Sequence, residues 1–372
     1  LARDIADLGS VTSRLDTVGA SSGALSNRNL IINGAMQVAQ RGTSATTNGY
    51  GSVDRFSTLY SGGTLTQSQE TLTSGSPYDN GFRNFYRVTV TSVGSNAASD
   101  YCYIAQQIEA QNLASSGWNY ASSDSSITIQ FWVRSSLAGT YYCALTSQDG
   151  TSRTFVIPVV LSANTWTKIT KAISGDSSLQ FDNNNGSGLD VTVRPYVGTN
   201  FSDSSVNTNV WYNRTGSTQT PDYSQNFNAT SSATFDLTGV QLEVGDPATD
   251  FEHRSFGDEL ALCQRYYYLH ASGATAAMGM GDMYVSSQLD CVMHFPTEMR
   301  ATPSLDATSG SNYYLAYGGA TSTNVTNAWN LFAPTKNAAT VFATPTSTVT
   351  AGTAMRVLAN NASASIAFDA EL

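Results

Sequence analysis

Apolar residues near the start of the chain recur in steps of four and three, which is the spacing of a coiled-coil seam. The seam positions are Leu1, Ile5, Leu8, Thr12 and Leu15. Gly19 and the small polar residues that follow it end the pattern. The pattern predicts a short stalk helix and linker over 1–26, and its single Ile/Leu layer favours two strands. A lone amphipathic helix on a monomer is the alternative.

From about Asn29 to Glu252 the pattern changes to period two, with apolar and polar residues in alternation. Over Ile127–Val133 the apolar positions are 127, 129, 131 and 133, with Thr128, Gln130 and Trp132 between them. Short runs of this kind, separated by Gly, Ser, Asn and Asp, are typical of an antiparallel β-sandwich. We therefore predict an all-β chain in which a β-sandwich domain occupies 27–252.

The pattern of apolar and polar residues changes again near residue 253. A short helix is expected from Gly257 to about Tyr266, because Asp258 and Glu259 lie where acidic residues favour a helix N-terminus. We assign 253–267 to a helical junction and 268–372 to a second small β-domain. Within that domain, the aromatic-rich tract 311–332 has the composition of a loop.

Composition narrows the classes of function. Charged residues make up 12% of the chain and the formal net charge is -10, so the clustered Lys and Arg that nucleic-acid binding requires are missing. The chain has neither a signal peptide nor an apolar run of about 18 residues, and we expect no membrane insertion and no export by the usual route. Since it begins at Leu1, a fragment of a longer chain is expected.

The four cysteines, at 102, 143, 263 and 291, form no CxxC pair and no Cys/His cluster. Cys102 and Cys143 lie in apolar strand patterns, where a thiol packs as a small hydrophobic group. We expect all four to be reduced, as in a protein assembled in a cytoplasm.

Three stretches of the sequence are distinctive: "NLIINGAMQVAQRGTS" with "VDRF" at 53–56, "FDLTGVQLEVGDPATDFEHRSFGDELALCQRYY", and "FPTEMRATPSL". They resemble stretches of phage tail-fibre and receptor-binding proteins of the cyanophage or marine-phage type. The resemblance implies a homotrimer in the virion, assembled in the host cytoplasm and joined to an upstream fibre or tail protein. It also implies a tip that contacts a host glycan, lipopolysaccharide or outer-membrane protein. Residues 306–372 match no pattern of this family.

The first domain also resembles carbohydrate-binding modules in the order of its strand motifs, and the resemblance implies that 27–252 is a jelly roll. Such modules often hold one structural calcium ion near the first and last strands. The resemblance makes Asp236 a candidate calcium ligand, together with carbonyl groups around Asn33. The alternative for Asp236 is an exposed strand carboxylate. No other cofactor is implied.

Sugars are bound by stacking on aromatic rings, with a few polar groups that fix their orientation. Two polar tracts, 199–230 and 311–332, offer such rings, and we expect the second tract to form the receptor-binding tip. The candidates are Trp211, Tyr212 and Tyr223 in the first tract and Tyr313, Tyr314, Tyr317 and Trp329 in the second. The alternative is that these rings pack between the chains of a trimer. Trp132 and Trp166 lie in strand patterns and are interpreted as packing residues.

Catalysis finds little support in the sequence. His253, His270 and His294 show no metal-binding spacing, and no GxSxG or P-loop motif is present. The acidic residues at 252, 258 and 259 are interpreted as structural. We expect no enzyme. The alternatives are a fibre-borne depolymerase, which usually carries a repetitive β-helix not found here, and a secreted carbohydrate-binding module or adhesin.

Overall fold

The structure, a computed structural model, describes residues 28–318, 321–325 and 328–372. The predicted stalk helix of residues 1–26 lies outside the described residues and stays a prediction. The chain divides into two compact units, Leu1–Ser255 and Phe256–Leu372. The boundary falls within the segment 253–267 that the sequence assigns to a junction.

The first unit is an antiparallel sandwich of two sheets. The six-stranded sheet has the order β1-β4-β5-β13-β7-β10 and the seven-stranded sheet the order β12-β9-β8-β11-β6-β3-β2. The strands are β1 Ser44–Ala45, β2 Gly49–Tyr50, β3 Ser57–Ser61, β4 Thr64–Thr71, β5 Asn84–Ser92, β6 Tyr101–Glu109, β7 Ser126–Ser135, β8 Gly139–Ser147, β9 Arg153–Leu161, β10 Thr167–Ser174, β11 Ser187–Val197, β12 Trp211–Asn213 and β13 Thr234–Val244. Two short helices, α1 Ser76–Asp79 and α2 Ala110–Ala114, interrupt them.

The core of this unit lies between the two sheets. The alternating apolar residues of β7, at 127, 129, 131 and 133, are all 0% exposed, which confirms the period-two prediction. Tyr141, Cys143 and Leu145 on β8 face them from the other sheet and belong to the same apolar cluster. Burial of each such side chain contributes about 1.5–3 kcal/mol, so the shared core holds the two sheets together.

The second unit is also all-β, apart from the helix α3 Phe256–Gln264. A three-stranded sheet, β14-β23-β17, and a seven-stranded sheet, β19-β18-β22-β15-β16-β21-β20, contribute to one apolar core. The strands are β14 Tyr267–Ser272, β15 Ala277–Val285, β16 Gln288–His294, β17 Ser304–Ala307, β18 Tyr314–Gly318, β19 Thr321–Val325, β20 Asn330–Phe332, β21 Ala338–Ala343, β22 Ala354–Ala359 and β23 Ser365–Asp369.

The prediction that 311–332 is a loop is wrong. The tract contains β18, β19 and β20, and β18 pairs with β22. Tyr314 and Ala316 are both fully buried, whereas Leu315 and Tyr317 are only partly buried, so β18 shows the alternation of a half-buried strand. The Gly, Ser, Thr and Asn residues around this short alternation are typical of loops and conceal it in the sequence.

All four cysteines are free and buried, which confirms the prediction of reduced thiols. Burial raises the pKa of the Cys143 and Cys291 thiols to about 12. At neutral pH these thiols are protonated and pack as apolar groups. Among the described helices, none combines the length and the apolar character needed to cross a bilayer.

Candidate functional site

The face of the seven-stranded sheet that points away from the core carries polar and aromatic side chains. On β6, Tyr103 alternates with the buried Cys102 and Ile104, and it pairs with Leu59 on the neighbouring strand β3. On β11, Asp190 pairs with Gln107, so these two side chains point to the same outer face. Successive residues of a strand point to opposite faces of the sheet. The same strands therefore place one set of side chains in the core and these polar and aromatic side chains on the outer face.

One part of this outer face is covered by a segment of the same chain. The segment 198–230 packs against Tyr142, Ala144 and Val156, through Tyr212 and Tyr223. The Tyr223 hydroxyl donates to the carbonyl of Arg194 at 3.0 Å, and its ring lies 5.0 Å from that of Tyr142. The segment therefore belongs to the fold of this unit.

The three aromatic candidates of the first tract take part in that packing. The indole N–H of Trp211 donates to the carbonyl of Ser174 at 2.8 Å, and its ring contacts Phe155 at a centroid distance of 5.4 Å. The Tyr212 hydroxyl donates to the carbonyl of Thr218 at 3.0 Å. Trp211, Tyr212 and Tyr223 are each partly buried within their own chain.

Five side chains meet where the segment 198–230 borders the rest of the outer face, and we call them the outer-face cluster. Its members are Tyr103, Gln107, Asp190, Arg194 and Arg214. The guanidinium carbon of Arg194 lies 4.9 Å from the ring centroid of Tyr103. The amide of Gln107 donates to Asp190 Oδ1 at 3.1 Å, and the charge of Arg214 acts on both Tyr103 and Asp190.

Burial changes the titration of the cluster. The pKa of Asp190 is raised because burial disfavours the charged carboxylate more than hydrogen bonds from Gln107 and Ser187 and the nearby arginines favour it. The pKa of Arg214 is lowered, by burial first and by the like charge of Arg194 second. Burial likewise raises the pKa of Tyr103. The cluster is thus partly shielded from water, which strengthens its electrostatic interactions with a ligand.

Arg214 is the member of the cluster best placed to contact a ligand. It follows β12 directly, is only partly buried, and its guanidinium group is hydrogen-bonded to none of the described residues. A guanidinium group binds hydroxyl, carboxylate or sulfate oxygens through its fork of N–H donors. Beside it, the partly exposed ring of Tyr103 stacks against Tyr101 at 4.9 Å between centroids. An aromatic face next to a cationic donor and a carboxylate acceptor is suited to binding a sugar.

The aromatic candidates of the second tract fall into two groups. Tyr314 is 0% exposed and Trp329 is 6% exposed, and their rings contact each other at 5.7 Å in the core of the second unit. The expectation that these two rings contact a receptor is wrong, because they are enclosed by their own unit. Tyr313 is partly buried. Tyr317 lies on the outer face of its sheet, where the Arg356 guanidinium carbon is 5.4 Å from its ring centroid.

Asp236 is neither an exposed carboxylate nor arranged as a calcium ligand. Its side chain is 1% exposed, and it accepts from Arg87 at 2.7 Å and from Arg134 at 2.6 Å. Arg87 on β5 and Arg134 on β7 both pair with Asp236 on β13, which lies between them. Two guanidinium groups occupy the carboxylate and would repel a cation. Across the described residues, no group of three or more His, Cys, Asp or Glu side chains is arranged to hold a metal ion.

The acidic residues of the junction have structural contacts in the first unit and in α3. Glu252 pairs with Arg254 at 3.0 Å and accepts from the backbone N–H of Asn29 at 2.9 Å. Asp258 and Glu259 lie in the first turn of α3, and Glu259 is 4% exposed.

Tyr103, Asp190 and Arg214 are not among the residues that the sequence patterns single out. The signal available for Tyr103 is the alternation in "YCYIAQQIEA", which places Tyr101, Tyr103 and Gln107 on the face opposite Cys102 and Ile104. That alternation does not tell which part of the polar face the segment 198–230 covers. The uncovered part became apparent only in the folded chain.

No protein-family model and no curated protein matches this chain. Solved structures that resemble it include the enzymatically active domain of tailspike protein 4 from bacteriophage CBA120, with 10% identity over 58% of this chain and 21% of that chain and a TM-score of 0.33. A putative sugar-binding protein from Bacteroides thetaiotaomicron has 11% identity over 58% of this chain and 99% of that chain, with a TM-score of 0.29. The xylan-binding CBM22-1 domain from Paenibacillus barcinonensis has 11% identity over 56% of this chain and 93% of that chain, with a TM-score of 0.25.

The chain spans about a fifth of the tailspike domain's length. All three TM-scores are below 0.5, and the sandwich fold is therefore assigned from the strand order and the core described above.

Proposed function

We propose that this protein is the distal part of a phage tail fibre and that it attaches the virion to a bacterial surface glycan through the outer-face cluster. The three fibre-like stretches of sequence support the assignment to a fibre. The cluster supports the assignment to glycan binding. Tyr103 supplies the exposed part of an aromatic ring, while Arg214 and Asp190 supply a donor and an acceptor for hydroxyl groups.

One observation carries this proposal: a partly buried arginine, free of hydrogen bonds to the described residues, next to a partly exposed tyrosine. A guanidinium group without a hydrogen-bond partner in the protein keeps its N–H donors available for the oxygens of a ligand. Because Arg194 and Arg214 outnumber Asp190, the cluster favours glycans that carry carboxylate or sulfate groups over neutral ones.

Binding without cleavage is the proposed mode of action. Glycoside hydrolysis requires two carboxyl groups on either side of the scissile bond. Asp190 is the one carboxylate among the five residues of the outer-face cluster, and two arginines surround it. The cluster can therefore hold and orient a sugar, and it lacks the second carboxyl group that the reaction needs.

The test is a screen of the purified chain against host cells, their extracted glycans and their outer-membrane proteins, scored for both binding and cleavage. We expect saturable binding to an acidic surface glycan, with the glycan recovered at its original length. Shortened glycan would favour the depolymerase. Binding to an outer-membrane protein with no binding to glycans would contradict the proposal.

We also propose that the protein is a homotrimer. Large apolar side chains lie exposed on the outer face of the seven-stranded sheet of the second unit: Met280, Tyr284, Val292 and Phe332 are 59–67% exposed. Val292 pairs with Thr340, which pairs with Phe332, so Val292 and Phe332 lie in one row across adjacent strands. An exposed apolar row of this kind is typical of an interaction surface, and we expect it to pack against other copies of the chain.

Sedimentation at micromolar concentration is expected to give three times the 39.5 kDa chain mass. Phe332→Asp places a charge in the apolar row and is expected to dissociate the trimer. Val160→Asp is the matched control, because Val160 is a 69% exposed apolar residue of the first unit. A monomer for the unmodified chain would rule out the trimer, and an unaffected trimer in Phe332→Asp would rule out this surface.

A further inference from the structure

The six-stranded sheet of the first unit carries a cavity of about 350 Å³ on its outer face. Its walls are the aromatic rings of Phe82, Trp132, Phe251 and His253. Phe82 contacts Phe251 at 4.8 Å and His253 at 5.1 Å between ring centroids. All residues that line this aromatic cavity belong to the first unit, and none belongs to the outer-face cluster, which is on the other sheet.

A β-bulge in β13 shapes the cavity. The register between β13 and β7 shifts between Thr238 and Gln241, and Gly239 within the shift has a φ of 62°. A Cβ atom at Gly239 would lie 2.7 Å from Cζ of Phe82 and 3.1 Å from Cδ1 of Trp132. Only glycine therefore lets these two rings come this close to the strand.

Two polar groups in the wall have no partner among the described residues. Gln130 is 2% exposed, and its amide nitrogen donates to the carbonyl of Thr249 at 2.7 Å, while its amide oxygen accepts no hydrogen bond from them. The indole N–H of Trp132 likewise has no acceptor among them. The interpretation of Trp132 as a packing residue therefore accounts for only part of its surroundings. An acceptor and a donor that line the cavity and have no partner in the protein suit a ligand with hydroxyl groups.

We propose that the aromatic cavity is a second saccharide site that takes a neutral unit of one or two pyranose rings. The volume lies in the range of ligand sites, and the aromatic walls suit the apolar face of a pyranose. Gln130 and the indole of Trp132 would pair with hydroxyl groups. At the rim, Lys168 is opposed by Asp79 and Asp250, so the cavity does not share the preference of the outer-face cluster for anionic sugars.

The experiment titrates the full chain with neutral methyl pyranosides of glucose, galactose, mannose and N-acetylglucosamine, and with glucuronate, while tryptophan fluorescence and NMR line broadening are followed. We expect at least one neutral pyranoside to bind at millimolar concentration, and Trp132→Ala to weaken it about tenfold through the loss of stacking. Lys168→Ala is expected to weaken it about threefold without a change in folding, because Lys168 is exposed. Lys171→Ala, three residues along β10, is the matched control and should bind as the unmodified chain does.

The proposal stands apart from the proposed function of the outer-face cluster. Neutral-sugar binding that persists in Tyr103→Ala and disappears in Trp132→Ala and Lys168→Ala belongs to the aromatic cavity. Glucuronate binding that disappears in Trp132→Ala and persists in Tyr103→Ala, neutral-sugar binding unaffected by Trp132→Ala and Lys168→Ala, or no binding of any neutral pyranoside would overturn it.

Discussion

Substituting Tyr314 by alanine is expected to lower the free energy of unfolding of the second unit by about 3–5 kcal/mol, as for other large buried aromatic residues. The ring is fully buried against Trp329, and its hydroxyl donates to the carbonyl of Ser365 at 2.7 Å. Truncation would leave a cavity and remove the hydrogen bond at the same time. This loss is a large fraction of the stability of a typical domain.

Tyr317→Ala in the same strand is the matched control, since Tyr317 is partly exposed and contacts Arg356 on the outer face. We expect it to change the free energy of unfolding by less than about 1 kcal/mol. Chemical denaturation with a probe in the second unit measures both values. Equal losses for the two variants would show that Tyr314 is not a core residue.

Replacing Asp236 by alanine is expected to destabilise the first unit by about 2–4 kcal/mol. The substitution would leave Arg87 and Arg134 without their shared partner in the middle of the six-stranded sheet, where the two arginine side chains are 28% and 26% exposed. The two positive charges would then repel each other across the strand that separates them. Asp236→Asn should have a smaller effect, because its amide oxygen can still accept one of the hydrogen bonds.

Asp124→Ala, at an exposed turn, is the matched control and should change stability by less than about 0.5 kcal/mol. Thermal denaturation with and without a chelator tests the calcium hypothesis on the same samples. We expect the chelator to leave the melting temperature of the unmodified chain unchanged. A chelator effect that is lost in Asp236→Ala would instead show calcium bound at this carboxylate.

The sandwich could be predicted because alternation within a strand reports directly on burial. Ile127–Val133 alternates strictly, and its apolar positions are all in the core. Asp236 shows what alternation within a strand does not predict. Its arginine partners are 149 and 102 residues away in the chain and become neighbours only through the strand order. The sequence contains all three charges but does not show that they meet.

Whether a side chain is available to bind a ligand depends on which other segments of the chain fold over it. No local sequence pattern contains that information. Tyr314 and Trp329 resemble binding residues because their tract is polar, yet a neighbouring sheet encloses both rings. Tyr103 resembles a packing residue because it lies in an apolar strand, yet its face of the strand is partly open. Whether an aromatic side chain binds a ligand or packs in a core is thus decided by the elements that fold over it.

The most direct test of the central claim is a calorimetric titration of the host glycan identified in the screen against the unmodified full chain and three variants of it. We expect Tyr103→Ala to weaken binding about tenfold, through the lost ring face, and Arg214→Ala by at least as much, through the lost charged donor. Tyr317→Ala also removes a tyrosine paired with an arginine, but in the second unit, and should bind as the unmodified chain does. Unchanged binding in both Tyr103→Ala and Arg214→Ala, with binding lost in Tyr317→Ala, would contradict the account and place the receptor site in the second unit.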